Sequence, residues 1–290
     1  MKFLLLCLMI CSLITGCVNH NLNSPDLNQN QAYPLSLDNP EVQEFIHKYS
    51  QQLGISPEFL TTSLSQAYIQ PSIIKSITRP AEKLSWTKYR AHFITHARIE
   101  AGKNFLAKYA STFAEEKQRD GIPPEIVVSI IGVETFYGKN TGNYRVLDAL
   151  ATLSFDYPKR AKFFQNELAH YLLLVSRNAW NVTNLKGSYA GAFGWAQFMP
   201  TSYLQFSVSA DAKRPANLSD PKDAILSIGF YFNQHGWQSG EPIALPINIK
   251  SQTCQLLTCN QKKPLYSISQ WEKAGAVLPK KFRKNMKAEV

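Results

Sequence analysis

The run from Pro124 to Val133 is apolar over almost its whole length, is led by a pair of prolines, and ends on a carboxylate, Glu134. Proline lacks an N–H and has its φ fixed near the helical value, so Pro123 and Pro124 suit a helix start. Glu125 then falls in the first turn, where an acid meets the positive end of the helix dipole. A segment this short and this apolar is suited to burial, and it carries Glu134 to the edge of a core. Glutamate is seldom buried without a partner, so one reading is a solvated residue or a salt-bridge partner at a helix end. The other is functional. Burial against Val133, Phe136 and Tyr137 disfavours the charged form and raises the pKa, which is what a general acid working near neutrality needs. Gly138 and Gly142 end the helix and leave space in front of the side chain.

Similar start signals recur along the chain and predict a mainly α protein of the α+β class. Pro40 heads a segment with Val42, Phe45, Ile46 and Tyr49 on one face, and Ser56-Pro57-Glu58 opens a second helix. A third helix is expected over Trp86–Ala97 and a long one over Arg98–Arg119, both structural. Val146–Phe155 is apolar at helical spacing, Tyr157-Pro158 breaks it, and Ala161–Ser176 resumes with a strong apolar stripe. Lys159 and Arg160 stand at the break, where cations either meet an anionic substrate or are solvated. Asp220-Pro221 opens a helix over Lys222–His235, which places Tyr231 where it could face a groove. Between Glu241 and Tyr266 a β-branched, proline-rich pattern predicts a few short strands.

The segment Asn184–Tyr203, NLKGSYAGAFGWAQFMPTSY, is of another kind. Gly187, Gly191 and Gly194 let the backbone approach something closely. Ser188, Gln197 and Tyr203 supply hydrogen-bonding groups beside Trp195 and Phe198. Such a mixture suits a sugar-binding groove, in which aromatic faces stack on pyranose rings and amides take the ring substituents. A tight helix-packing site is the competing reading.

A net charge of +10 and a pI near 9.3 favour an anionic partner or surface. Nucleic acid is disfavoured, because the basic residues are scattered, zinc-finger spacing is absent and no helix is basic along a whole face. The N-terminus, MKFLLLCLMICSLITGC, joins one basic residue to an apolar run too short to span a bilayer comfortably. Small residues before Cys17 resemble a bacterial lipobox, which implies residues 1–16 as a cleaved signal and acylation of Cys17. Val18 in place of Asp favours the outer membrane, so the expected location is its periplasmic face. Residues 17–39, rich in Asn, Gln, Ser and Pro, read as a tether. Of the 5 cysteines, Cys254 and Cys259 remain in the mature chain, and a small disulfide loop is expected in an oxidising compartment.

GVETFYG, RVLDALATLSFDYPKRAKFF, NLKGSYAGAFGWAQFMPTSY and DPKDAILSIGFYFNQHGW, in that order, resemble the membrane-bound lytic murein transglycosylase B family. The resemblance covers roughly Pro40 to Val277. It implies a lysozyme-like catalytic core at 121–238, after an N-terminal helical domain at 40–120 and before a small β subdomain at 239–277 and a basic tail at 278–290. It implies a monomer that cleaves peptidoglycan glycan strands between N-acetylmuramic acid and N-acetylglucosamine and leaves a 1,6-anhydromuramic end. Glu134 matches the family's catalytic glutamate; Gln197, Ser188 and Tyr231 match groove residues, with Tyr137, Trp195 and Arg160 as further substrate contacts. Family members carry a calcium loop before the DP-x-D segment. Here Ser209–Pro215 lacks the alternating carboxylates and glycine that calcium needs, and Lys213 stands where a ligand would, so no metal or other cofactor is expected. Members also continue past the segment matching Tyr266–Gln270 and supply further tyrosines, so part of one groove wall is expected to be missing. A silent peptidoglycan-binding lipoprotein is the alternative.

Overall fold

The computed structural model describes residues 31–78, 86–241, 243–244, 247, 257, 264–277 and 287–288. Cys17, Cys254 and Cys259 lie outside them, as does most of the stretch expected to hold short strands. The chain divides into two compact units, with the division between Trp237 and Gln238.

The larger unit is helical. Helix α1 (Pro40–Leu53) is capped by Asn39, whose side chain accepts from the Glu41 N–H, and it ends at Gly54 in the left-handed conformation. Val42, Phe45, Ile46 and Tyr49 are its buried residues, as their spacing requires. Helix α2 (Pro57–Leu64) is capped by Ser56. Helix α3 (Pro71–Thr78) was not expected from the apolar pattern, although Pro71 marks its start.

The expected third and fourth helices are divided differently. Helix α4 (Trp86–Phe93) stops short of Ala97, because Thr95 caps a new helix, α5 (His96–Lys108), by accepting from the Arg98 N–H. The Arg98 guanidinium donates to the carbonyls of His92 and Phe93, at 3.0 and 3.1 Å, and so satisfies the end of α4. The long helix breaks at Tyr109, where φ is −112° and ψ 26°, and continues as α6 (Ala110–Asp120). Its ring packs back on Phe105 at 4.7 Å. Neither break carries a Gly or Pro.

Helix α7 (Pro124–Thr135) follows Pro123 as anticipated. At the centre lies α8 (Val146–Phe155), buried from Val146 to Ser154, as a helix that is largely apolar on every side must be. Two of its polar groups bond to a neighbouring strand and the residue after it. Asp148 accepts from the Tyr68 N–H at 3.0 Å and Thr152 from the Gln70 N–H at 2.9 Å. Strand β2 (Tyr68–Ile69) pairs antiparallel with β1 (Tyr33–Pro34). A 3-10 turn, Pro158–Arg160, leads into α9 (Ala161–Asn178), which packs along α8. Strands β3 (Tyr144–Arg145) and β4 (Lys186–Gly187) form a second pair, and α10 (Pro200–Phe206) and α11 (Pro221–Gln234) complete the unit. One hydrophobic cluster runs from Leu35 to Phe232, so residues of 40–120 and 121–238 share a core.

Glu116 of α6 is buried in that core beside Gly229 of α11, where a Cβ would strike its carboxylate. Neither of its oxygens has a hydrogen-bond partner among the described residues. Burial, and then the nearby Asp120, push its carboxyl up to about 8.

In the smaller unit, Ser267 and Gln270 form a capping box at the head of α12 (Ile268–Lys273). Strand β5 (Tyr266–Ser267) pairs with β6 (Lys287–Ala288), and the Trp271 indole donates to Ala288 O at 3.0 Å. Lys287, at the end of the basic run, therefore lies in a two-stranded sheet.

Candidate active site

Helix α7 delivers Glu134 one residue before its end. Thr135 is fully buried, while Glu134 is half-buried and makes no hydrogen bond or ion pair with a described residue. Burial alone pushes its carboxyl from 4.5 up to about 7. The helix then stops on two successive left-handed residues, Phe136 at φ 50° and Tyr137 at φ 56°. Non-glycine residues seldom adopt this conformation, and a pair of them is strain held by the surroundings.

Three contacts hold it. The Phe136 N–H bonds to Gly132 O and the Tyr137 N–H to Ile131 O. The Tyr137 ring enters the crossing of α5 and α7, its hydroxyl against Gly102 and Gly132, where any Cβ would overlap it. The Phe136 ring has the Arg98 guanidinium 4.8 Å from its centre and the Lys139 ammonium at 4.7 Å.

The glycine-rich segment is fastened to the loop after Glu134. Thr135 Oγ lies 3.2 Å from Trp195 O, the Trp195 indole packs on Gly138, and the Gln197 amide donates to Thr141 O at 3.1 Å and Gly194 O at 2.9 Å. Gly142, at φ +98°, lies so close to Gly187 and Ser188 that a Cβ would overlap their backbone. Ser188 Oγ accepts from the N–H groups of Ala190 and Ala192, at 3.3 and 3.2 Å, shaping the turn. Trp195, Gln197 and Ser188 are therefore fastened to the stretch 135–142 that directly follows the half-buried Glu134.

The remaining expected residues are placed otherwise. Tyr137 is a spacer in the helix crossing, with its ring 5.5 Å from Phe105. Tyr231 is buried, stacked on His235 at 4.0 Å and edge-on to Phe206 at 5.0 Å. Arg160 lies over Phe163, 4.3 Å from the ring centre. It sits past the far end of α8, while Gly187 packs on Val146 at the near end; ten residues of helix span about 15 Å. Sequence reasoning missed Thr135 and Arg98. Thr135 sits inside the GVETFYG motif, but no periodicity distinguishes it.

The model of the family described as "Transglycosylase SLT domain" matches residues 38–290. The chain belongs to this transglycosylase family. Membrane-bound lytic murein transglycosylase B of Escherichia coli (strain K12) is 40% identical over 248 residues, which is 82% of this chain and 68% of that protein. Among solved structures, soluble lytic transglycosylase SltB1 of Pseudomonas aeruginosa is 41% identical with a TM-score of 0.81, covering 86% of this chain and 83% of that one. Escherichia coli lytic transglycosylase Slt35, in a structure in complex with calcium, is 39% identical with a TM-score of 0.77, covering 88% and 81%. The mainly helical, lysozyme-like fold expected from the sequence is the fold of these transglycosylases.

The loop before α11 in this transglycosylase holds a charge of its own. Arg214 forks onto both oxygens of Asp223 and also reaches Asp220 Oδ2 at 3.1 Å. Asp223 is fully buried and further accepts from the N–H groups of Ala210 and Asn217, at 2.8 and 2.6 Å. Lys213, which stands where a calcium ligand was expected in the family, gives its backbone N–H to Asp211. Among the described residues no group of acidic, histidine or cysteine side chains is arranged to hold a metal ion.

Proposed function

We propose that this protein is a lytic transglycosylase that cleaves the β-1,4 bond between N-acetylmuramic acid and N-acetylglucosamine in peptidoglycan, with Glu134 as acid and then base. The observation that carries the reading is a half-buried carboxyl, raised to about 7 and free of partners among the described residues, directly before the stretch to which Ser188, Trp195 and Gln197 are fastened. Protonated Glu134 gives its proton to the glycosidic oxygen as the C1–O bond breaks. The electron-poor C1 is then attacked by the 6-hydroxyl of the same muramic residue, whose proton returns to Glu134. No water is consumed and the acid is regenerated. One carboxylate suffices because the substrate's 2-acetamido group stabilises the cationic centre, a task that falls to a second carboxylate in two-carboxylate glycosidases.

The relative named as membrane-bound supports attachment to a membrane through acylated Cys17, at the periplasmic face of the outer membrane. No helix among the described residues is long and apolar enough to cross a bilayer. The calcium of the Slt35 structure does not fit here, because the Arg214 guanidinium already meets the carboxylates of Asp220 and Asp223. This supports an enzyme that needs no calcium at this loop. The deciding experiment is digestion of purified sacculi with anchor-free protein, followed by product mass. Anhydro-ended muropeptides that vanish in Glu134→Gln support the proposal, reducing ends would indicate a hydrolase, and binding without products would indicate a silent module.

A further inference from the structure

Behind the glycine-rich wall lies a hollow that the reaction does not use. It has a volume of about 570 Å³ and is lined by Trp180, Phe193 and Tyr203 together with Asn181, Asn184 and Asn217. A smaller hollow of about 240 Å³ shares Trp180 and Asn181 with it, so the indole borders both. The Trp180 ring is half-buried and held edge-on to Tyr203, with centroids 5.7 Å apart and planes at 77°. Trp195 joins this hollow to the catalytic side. Its indole packs on Gly138 near Glu134, while its backbone N–H bonds at 2.7 Å to Leu218 O, and Leu218 lines the hollow.

The asparagines around this hollow present amide donors. Asn181 Oδ1 accepts from the Thr183 N–H and hydroxyl, at 2.9 and 2.7 Å, and Asn217 Oδ1 accepts from the Ser219 N–H at 3.0 Å. Both amide oxygens are engaged, and neither NH2 group bonds to a described residue. The Asn184 side chain and the Trp180 indole N–H likewise make no such bond. Arg214 reaches the rim but is already paired with Asp220 and Asp223. An anionic ligand would meet acidic groups whose counter-ion is taken, and a hydrocarbon would leave the donors unpaired. The chemistry that fits is neutral, rich in acceptor oxygens and apolar on one face, which describes a pyranose ring.

We propose that this hollow is a second saccharide site, which holds a glycan strand through Trp180 and the three asparagines while another part of the strand lies at Glu134. The proposal rests on peptidoglycan being the substrate. It gives the enzyme a grip on the polymer that is independent of the bond being cut.

The test is calorimetric titration of the full Glu134→Gln chain with the tetramer of N-acetylglucosamine, which carries no peptide. The expected result is a binding event that weakens about tenfold or more in Asn184→Ala/Asn217→Ala, which loses donors, and again in Trp180→Phe, which keeps an aromatic ring but lacks the indole N–H. Thermal melts show which variants are folded, and the double asparagine variant changes surface side chains only. Binding unchanged by these substitutions, or no binding at all, overturns the proposal. Sacculus digestion by the unsubstituted chain tests the activity separately, so the two readings can fail independently.

Discussion

The hydroxyl of Thr135 lies 3.2 Å from the carbonyl oxygen of Trp195 and accepts the Gly138 N–H at 3.1 Å. Through this one buried side chain the end of the Glu134 helix is tied to the glycine-rich wall. Thr135 is thus a positioning residue. Thr135→Val keeps the volume and removes both roles, leaving buried polar groups unmatched at about 1–3 kcal/mol. The expected result is a fall in kcat of about tenfold or more, with a smaller change in KM, and recovery of most of the loss in Thr135→Ser. Steady-state kinetics on soluble muropeptides checks it, and equal losses in both variants would count against the assignment.

The raised carboxyl of Glu134 fixes the direction of the pH dependence. The first step needs the acid form, which is populated below about 7. Turnover should fall as pH rises through that value, and Glu134→Gln should release no anhydro-ended product at any pH. A pH–rate profile that keeps rising well above neutrality would contradict this role.

Glu116 makes a separate prediction about stability. Its carboxyl titrates at about 8 in the folded protein and near 4.5 when exposed, so the folded state holds the extra proton between these values. Stability is full below the lower value and is lost as pH climbs to the upper one. Glu134 acts in the same direction only up to about 7. Melting temperatures should therefore fall between pH 7 and 8 in the wild type, and that part of the slope should flatten in Glu116→Gln.

Gly142 cannot be replaced without moving the wall. Its φ is +98° and a Cβ would overlap the Gly187 and Ser188 backbone. Forcing such a contact costs about 1–3 kcal/mol or more. Gly142→Ala should melt earlier and lose activity out of proportion to its loss of stability, because the strands of the wall separate from the Glu134 loop. Normal turnover in a folded Gly142→Ala would refute this.

Removing the Arg214 side chain would leave Asp223 buried without its counter-ion. Asp223 is fully buried, so its carboxylate would be left without compensation even though Arg214 itself is partly exposed. Arg214→Ala should lose several degrees of melting temperature, whereas chelators and added calcium should leave the wild-type melt unmoved. A calcium-dependent rise in the wild-type melt would show that a cation binds after all.

Much of this architecture was readable from local signals. Pro40, Pro57, Pro124 and Pro221 each begin a helix, and the buried faces of α1 and α8 follow their apolar spacing. The breaks at Ile94-Thr95 and Tyr109 were not readable, because no Gly or Pro announces them and local side-chain contacts, of Arg98 with the end of α4 and of Tyr109 with Phe105, accompany them. The apolar run places Glu134 near the end of a helix, and α7 carries it there. The placement of Tyr231 could not be read: helical spacing gives its face, but not that Phe198, Phe206 and His235 would enclose it. Likewise the basic residue that meets Asp223 is Arg214 and not its neighbour Lys213, a choice made by loop geometry.

That guanidinium has a consequence for where the protein can operate. A dissociable ion stabilises a fold only in proportion to its abundance outside, by mass action. A positive group covalently joined to the chain is present at full stoichiometry in any medium. The loop ahead of α11 should keep its shape in dilute or chelating surroundings that would strip an ion from it, at the expense of any ability to sense that ion.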